Sequence, residues 1–319
     1  MPSPNEALLR SVQEPEPGFA ASVIEGLSKP RKSLPCRYFY DAWGSELFEE
    51  ITRLPEYYLT RTEITILEAH AAEIALDAAS AAVLVEFGSG SSRKTEILLD
   101  ALPRLRAYVP VDVSQSAIEG ARHRLRNRYP SLHVHPILAD FSQPQGLPPS
   151  LAREHKLGFF PGSTIGNFPP FAAIRLLRSM RGTLSRGGRL IIGVDLKKDA
   201  RTLLRAYNDK AGITAAFNLN LLTRINRELE GTFDLSSFRH EAIYNSKEGR
   251  IEMHIVSKQK QTVSVLGRRF GFFAGETIHT ENSYKYSTAQ FQELAHAAGW
   301  QLDCAWNDGD KLFCVMTLA

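Results

Sequence analysis

The stretch "AAVLVEFGSGSSRKTEILLDAL", residues 81–102, decides the fold. Val83, Leu84 and Val85 form a short continuous apolar run, the pattern of a strand buried on both faces. Gly88 and Gly90 then supply a tight turn, since glycine accepts positive φ and close backbone approach. Ile97, Leu98, Ala101 and Leu102 follow at helical spacing. The next apolar run, "AYVPVDVS" (107–114), ends in Asp112, 24 positions after Gly88. An acid at that point reaches a ribose in doubly wound folds. Arg93 stands where a dinucleotide fingerprint needs its third glycine, and the Lys-Ser/Thr spacing of a phosphate loop is missing.

The pattern repeats outward. "HVHPILADF" (133–141) reads as a third strand ending in Asp140 and Phe141. An acid and an aromatic at a strand end suit an adenine: the acid accepts from the exocyclic amine and the ring stacks. "FFPGSTIGNFPP" (159–170) is the fourth strand and its turn, and "GGRLIIGVDL" (187–196) is the fifth. Strand–helix alternation predicts an α/β, mostly parallel, doubly wound sheet with its ligands at the carboxyl ends of the strands. A helix from Thr288 to Ala298 follows, with Ser287 and Gln290 as a capping box and Gly299 as its stop. "WQLDCAWND" and "KLFCVMTLA" (300–319) read as a closing antiparallel hairpin around Asn307-Asp308-Gly309. This order resembles the Rossmann-like sheet of class I S-adenosylmethionine-dependent methyltransferases.

Composition narrows the partners. The chain has 319 residues, 43% hydrophobic and 23% charged, with a net charge of +3, which gives no argument for nucleic acid. The basic run "RHRLRNR" (122–128) reads as a solvated helix face. Three scattered cysteines, Cys36, Cys304 and Cys314, lack a CxxC pair and fit a reducing cytoplasm. The N-terminus has no apolar core of a signal peptide, and no apolar run reaches membrane-spanning length. The nine histidines are scattered, and the pair His133 and His135 is too few for a metal site, so no metal is expected. A monomer acting on a small molecule is expected, with neither membrane nor nucleic acid as partner.

Two segments exceed what the sheet needs. About ninety residues separate Leu196 from Thr288, far beyond a normal loop. They hold a helical stretch (212–229) and three strand-like runs (237–245, 250–257 and 261–267), so they predict a small α+β insertion. In the second run Ile251, Met253 and Ile255 share one face, with Glu252 and His254 on the other. Before the sheet, "RYFYDAWGSELFEEITRLPEYYLTRTE" (37–63) is dense in aromatics. Thr60 and Glu63 read as a capping box for a helix whose buried stripe is Ile64, Leu67, Ala71 and Ile74. Tyr38, Tyr40, Tyr57 and Tyr58 together suit a cation, because aromatic faces stabilise ammonium and sulfonium groups. The expected division is a methyltransferase domain of residues 60–196 and 287–319, and a second, smaller α+β lid of residues 15–59 and 197–286.

Longer strings point further. The segment 37–63, "EFGSGSSRKT", "FFPGSTIGNF", "GVDLKKD", "AYND", "FNLNLLTRINREL", "RIEMHIVS" and "GETIHTENSYKYS" together resemble the histidine-specific Nα-methyltransferases of ergothioneine biosynthesis, from Leu34 to Leu318. The resemblance implies trimethylation of the α-amine of histidine, with S-adenosylmethionine as donor. It implies that Gly88 and Lys94 hold the methionyl part of the donor, Asp112 the ribose, and Asp140 with Phe141 the adenine. Asn167, Tyr57 and Tyr207 are implied to hold the amino and carboxylate groups of the substrate, with Tyr40 close to the transferred methyl. Glu281 and Ser283 are implied to read the imidazole, and Met253 to pack beside it. Some relatives methylate tryptophan derivatives, so another amino acid is the alternative substrate. A non-catalytic sensor of S-adenosylmethionine is the alternative class. Glu281 bears on the first, because a buried carboxylate needs an N–H donor or a cation. It could instead pair with Lys285 and hold the loop.

Overall fold

A computed structural model describes residues 18–319 apart from 90–92, 144–145 and 186. Gly90, read as the second turn glycine, lies outside the described residues. Two helices come first, α1 (Phe19–Ser28) and α2 (Ala42–Ile51). Then α3 (Tyr58–Asp77), β1 (Val83–Phe87), α4 (Arg93–Ala101), β2 (Ala107–Asp112), α5 (Gln115–Arg128), β3 (His133–Val134) and β4 (Ile137–Leu138) follow. Strand β5 (Lys156–Phe160), α6 (Pro170–Leu184), β6 (Arg189–Asp195), α7 (Ala200–Tyr207) and α8 (Ile213–Glu228) come next. Five strands succeed them: β7 (Phe238–Asn245), β8 (Arg250–Ser257), β9 (Gln261–Val265), β10 (Arg268–Phe272) and β11 (Thr277–Tyr284). The series closes with α9 (Thr288–Ala297), β12 (Leu302–Asn307) and β13 (Phe313–Leu318).

Contacts divide the chain into two units. The larger comprises Glu49–Tyr207, Tyr244–Ile251 and Asn282–Ala319. The smaller comprises Asn208–Ile243, Glu252–Glu281 and the described part of Met1–Phe48. The division cuts α2, β7, β8 and β11.

In the larger unit the sheet runs β12-β13-β6-β5-β1-β2-β3, with β4 also paired to β2. Strands β1 to β6 pair in parallel, while β13 is antiparallel to both β6 and β12. The order reverses at β1, which lies between β5 and β2. In such sheets the crevice at the carboxyl end of that switch takes the ligand. Strands β1, β5 and β13 are buried along their whole length, which is why they read as continuous apolar runs. The capping box of α9 is present as read, with Ser287 and Gln290 each bonding the other's backbone.

Two readings need correction. The third strand is two short pieces, because Pro136 has no N–H to give to the ladder between them. Helix α3 starts at Tyr58 with no side-chain cap, so Thr60 and Glu63 form no capping box. Its buried positions include Ile66, Leu67 and Ile74, with Ile64 and Ala71 only partly covered, and Glu63 is among the buried ones.

Glu86 on β1 is a buried acid of this sheet. It accepts from Thr95 Oγ1 at 2.6 Å and from Tyr108 Oη. Burial pushes its carboxyl up to about 8, against the pull of those bonds. The folded state thus holds a proton that the unfolded state releases above about 4.3. Stability should fall as pH rises from about 5 towards 8. In thermal melts Glu86→Gln should flatten that slope; an unchanged slope would place the titration elsewhere.

In the smaller unit β9 and β10 form a hairpin and Phe233, Phe238 and Phe272 pack with ring centroids 5.5–6.2 Å apart. The insertion has two strands more than the sequence suggested, β10 and β11. No helix among the described residues is long and apolar enough to cross a membrane.

Candidate functional site

The carboxyl ends of β1, β2 and β4 meet at the switch. Gly88 has φ +81°, and a Cβ there would lie 3.5 Å from the ring edge of Phe141. Its N–H donates to Val111 O at 2.8 Å, which ties the turn to the end of β2. Asp112 accepts from Ser114 N–H at 2.9 Å and Asp140 from Ser142 N–H at 2.9 Å. Each is half-buried at the head of a loop. The Phe141 ring packs 5.5 Å from Phe160 and 6.4 Å from Phe168. Ser89 is buried, and its hydroxyl has no partner among the described residues. Two carboxylates, an aromatic face and a glycine cradle fit the ribose, adenine and methionyl parts of S-adenosylmethionine.

The turn after β5 is held from behind. Gly162 and Ser163 both have positive φ, +78° and +56°, and the short turn Thr164–Asn167 follows. A serine in that region is strained, which is common at functional sites. Ser163 Oγ accepts from Asp195 N–H at 2.9 Å. The Gly162 N–H donates to both oxygens of buried Glu63 at 2.9–3.0 Å, and Lys94 Nζ pairs with Glu63 at 2.5 Å. Lys94 is therefore anchored to the turn that carries Asn167. Gly166 packs against protein: a Cβ there would lie 2.8 Å from Tyr284 O.

A buried polar cluster lies in the same unit. The rings of Tyr57 and Tyr207 are 6.3 Å apart, and Tyr207 Oη is 2.7 Å from Ser283 Oγ. Lys285 Nζ donates to Tyr207 Oη at 3.0 Å and to Ser283 Oγ at 2.7 Å, and pairs with Asp195 Oδ2 at 2.7 Å. The lysine offered by the sequence as a loop-holding partner for Glu281 has these three acceptors instead. Asp195 also accepts from Tyr58 Oη at 2.8–2.9 Å and from Lys198 Nζ. Burial, then the Asp195 charge, pushes the Tyr58 hydroxyl well above its ordinary range. Burial pulls Lys198 down to about 8, though Asp195 opposes that.

Three expected residues lie in the smaller unit. The Tyr40 ring sits edge-on to Phe48 and Phe217, at 5.6 and 5.7 Å. Met253 is buried on β8, and its carbonyl accepts from Thr280 Oγ1 at 3.0 Å. Glu281 is half-buried on β11. Burial, then the Glu281 charge, pushes the Cys36 thiol up to about 12, so that cysteine is a poor nucleophile at neutral pH. Glu252, His254 and His279 also gather, with ligating atoms within 4.8 Å of one another. Alternation already puts Glu252 and His254 on one face of β8, but His279 joins them from another strand, β11, which spacing cannot show. Glu252 Oε2 bonds His254 Nε2 at 3.2 Å, and His279 Nε2 bonds Glu281 O at 3.0 Å.

Residues 19–319 match the family described as "Histidine-specific methyltransferase, SAM-dependent". The chain belongs to that family. Like its other members it is an enzyme that uses S-adenosylmethionine as methyl donor. It is similar to "Histidine N-alpha-methyltransferase" of Mycolicibacterium smegmatis, 44% identical over 291 residues and 90% of each chain. It is also similar to "Ergothioneine biosynthesis protein 1" of Neurospora crassa, 32% identical over 300 residues, which cover 90% of this chain and 34% of that protein. A solved S-adenosylmethionine-dependent methyltransferase from Clostridium acetobutylicum shares the fold, with a TM-score of 0.51 at 12% identity, over 86% of this chain and 97% of the other.

For a methyltransferase of this family, sequence reasoning missed Glu63, Asp195 and Lys285. Glu63 was absorbed into a local capping pattern, whereas its partners are 31 and 99 positions away. The run "GVDLKKD" carried Asp195 as part of a motif, with no sign that two lysines converge on it. Lys285 entered only as a loop-holding partner for Glu281, and buried lysine is rare enough that its place in this cluster was not foreseen.

Proposed function

We propose that the protein transfers three methyl groups in turn to the α-amine of L-histidine and releases the Nα-trimethyl betaine, hercynine, for ergothioneine biosynthesis. The convergence of Gly88, Asp112 and Asp140-Phe141 at the switch of the sheet carries the donor half of this reading. The 44% identity to a protein named for histidine Nα-methylation supports the substrate.

S-adenosylmethionine, when bound, supplies a methyl group on a sulfonium, which is already a good leaving group. The protein's part is placement and desolvation. Gly88 and Lys94 hold the methionyl part, with Lys94 steadied by Glu63. Asp112 takes the ribose hydroxyls, and Asp140 with Phe141 takes the adenine. Asn167 offers two donors and an acceptor to the amino and carboxylate groups of the substrate, and Tyr57 and Tyr207 share that task. Tyr40 presents its ring and hydroxyl beside the transferred methyl. Glu281 and Ser283 bind the imidazole, and Met253 packs on it. A free primary α-amine has a pKa of roughly 9, against ~8 for a chain terminus, so some of it is neutral and nucleophilic in water. Its protons leave through tyrosine hydroxyls and water. Full turnover by Tyr40→Phe from pH 7 to 9 would remove that hydroxyl from the relay.

The decisive test is mass spectrometry of the purified protein with S-adenosylmethionine and each of the twenty amino acids. A gain of three methyls on histidine alone is the expected result. Transfer to tryptophan in its place, or to none of the twenty, would overturn the reading. For the donor half, Asp112→Ala should weaken S-adenosylmethionine binding about ten- to a hundred-fold in calorimetry, since charge-assisted bonds are worth ~1.5–3 kcal/mol. An unchanged affinity in a folded variant would make Asp112 purely structural.

A further inference from the structure

We propose that Lys285 is a positioning residue for substrate recognition. It turns Tyr207 and Ser283 into hydrogen-bond donors, so that the substrate atom meeting this pair is an acceptor carrying no hydrogen. Two atoms of histidine have that chemistry: a carboxylate oxygen and the bare nitrogen of the neutral imidazole. The inference rests on the proposed histidine Nα-methyltransferase function and adds a residue to it.

Hydrogen counting carries the argument. An ammonium has three hydrogens and no lone pair. Those of Lys285 have three acceptors in reach: Asp195 Oδ2 at 2.7 Å, Ser283 Oγ at 2.7 Å and Tyr207 Oη at 3.0 Å. Neither hydroxyl can therefore donate towards Lys285. The two oxygens are 2.7 Å apart, so one hydroxyl donates to the other. Of the two hydroxyl hydrogens, one lies within the pair, and the pair directs the other away from the lysine. Accepting from a cation also polarises each O–H and strengthens it as a donor.

Charge points the same way. Asp195 is bonded by Lys198 and Tyr58 as well as by Lys285, and Lys285 is fully buried. One carboxylate does not need two lysines, and taking a second cation out of water is costly. A merely structural site would do better with an apolar side chain there. The surplus positive charge opposes a substrate ammonium at this position and favours an acceptor.

The test compares wild type with Lys285→Met, which keeps an unbranched side chain one atom shorter and removes the charge. Histidine KM at saturating S-adenosylmethionine should rise about ten- to a hundred-fold, while the donor's Kd stays within about twofold. Inhibition by histamine, which keeps the imidazole and lacks the carboxylate, separates the two acceptors. An unchanged histamine constant identifies the carboxylate, and a parallel rise identifies the ring nitrogen. A folded Lys285→Met with an unchanged histidine KM overturns the inference. Should that variant fail to fold, Tyr207→Phe, Ser283→Ala and their combination decide: the double variant should lose more affinity than the product of the single losses. A simple product overturns the inference. Wild-type protein that does not methylate histidine removes the proposed function and this inference with it. Wild-type protein that does, beside either negative result, removes the inference alone.

Discussion

Glu281→Ala should leave S-adenosylmethionine binding intact and lower histidine turnover by on the order of a hundred-fold or more. Contacts to an amino group and a carboxylate are the same for every amino acid. Discrimination must come from groups that meet the side chain. A site built to bond a substrate N–H rejects analogues lacking it, because its own polar groups are then left unpaired. Glu281 and Ser283 are two positions apart on β11 and so project to one face of the strand. A carboxylate takes the N–H of a neutral imidazole, and removing it loses both a charged bond and the ring's orientation. The opened space should also narrow the gap between histidine and bulkier apolar substrates. Kinetics on histidine, phenylalanine and tryptophan, run beside thermal melts, check this. A variant that melts much earlier yet keeps its preference for histidine would show that Glu281 supports the strand and does not read the substrate.

Asp195→Asn should cost about 3–5 kcal/mol of stability. The carboxylate is wholly buried and is bonded by Lys285, Lys198 and Tyr58. Asparagine keeps the shape but leaves two buried ammonium groups without their counter-charge. At roughly 2–4 °C per kcal/mol for a chain this large, the melting temperature should drop by roughly 6–20 °C. Adding Lys198→Met should restore part of the loss, since it removes one of the uncompensated charges. A melting temperature within about 2 °C of wild type would mean that the cluster adapts by shedding a proton or admitting water.

The sheet was legible because its signals are local. Apolar runs, Gly88 and the Ser287–Gln290 box each act within a few residues. Strand β11 was hidden because each of its faces buries a polar group, Thr280 on one and Ser283 on the other, and both are satisfied at long range. Thr280 Oγ1 bonds Asn218 at 2.8 Å, 62 positions away. A period-2 hydrophobic pattern cannot show such a strand. The third strand looked continuous because the apolar residues on either side of Pro136 outweighed one missing donor. In the site, strand-end acids could be placed from position alone. The buried pairs could not: Glu63 with Lys94 and Gly162, and Asp195 with Lys285. Such pairings are set by topology and leave no trace in spacing.

The place of β13 in the sheet also bears on how the protein is made. It is the last strand in chain order, yet it stands between β6 and β12 and pairs with both. Strand β6 is complete at Asp195, more than a hundred residues before its partner begins at Phe313. Through all that synthesis β6 has one unpaired edge, the kind of surface that recruits other strands. The smaller unit is complete at Glu281 and can settle first. The β6 edge of the sheet closes only when the ribosome has delivered β13. The slow step of folding should therefore be the docking of β13, a contact of high sequence separation.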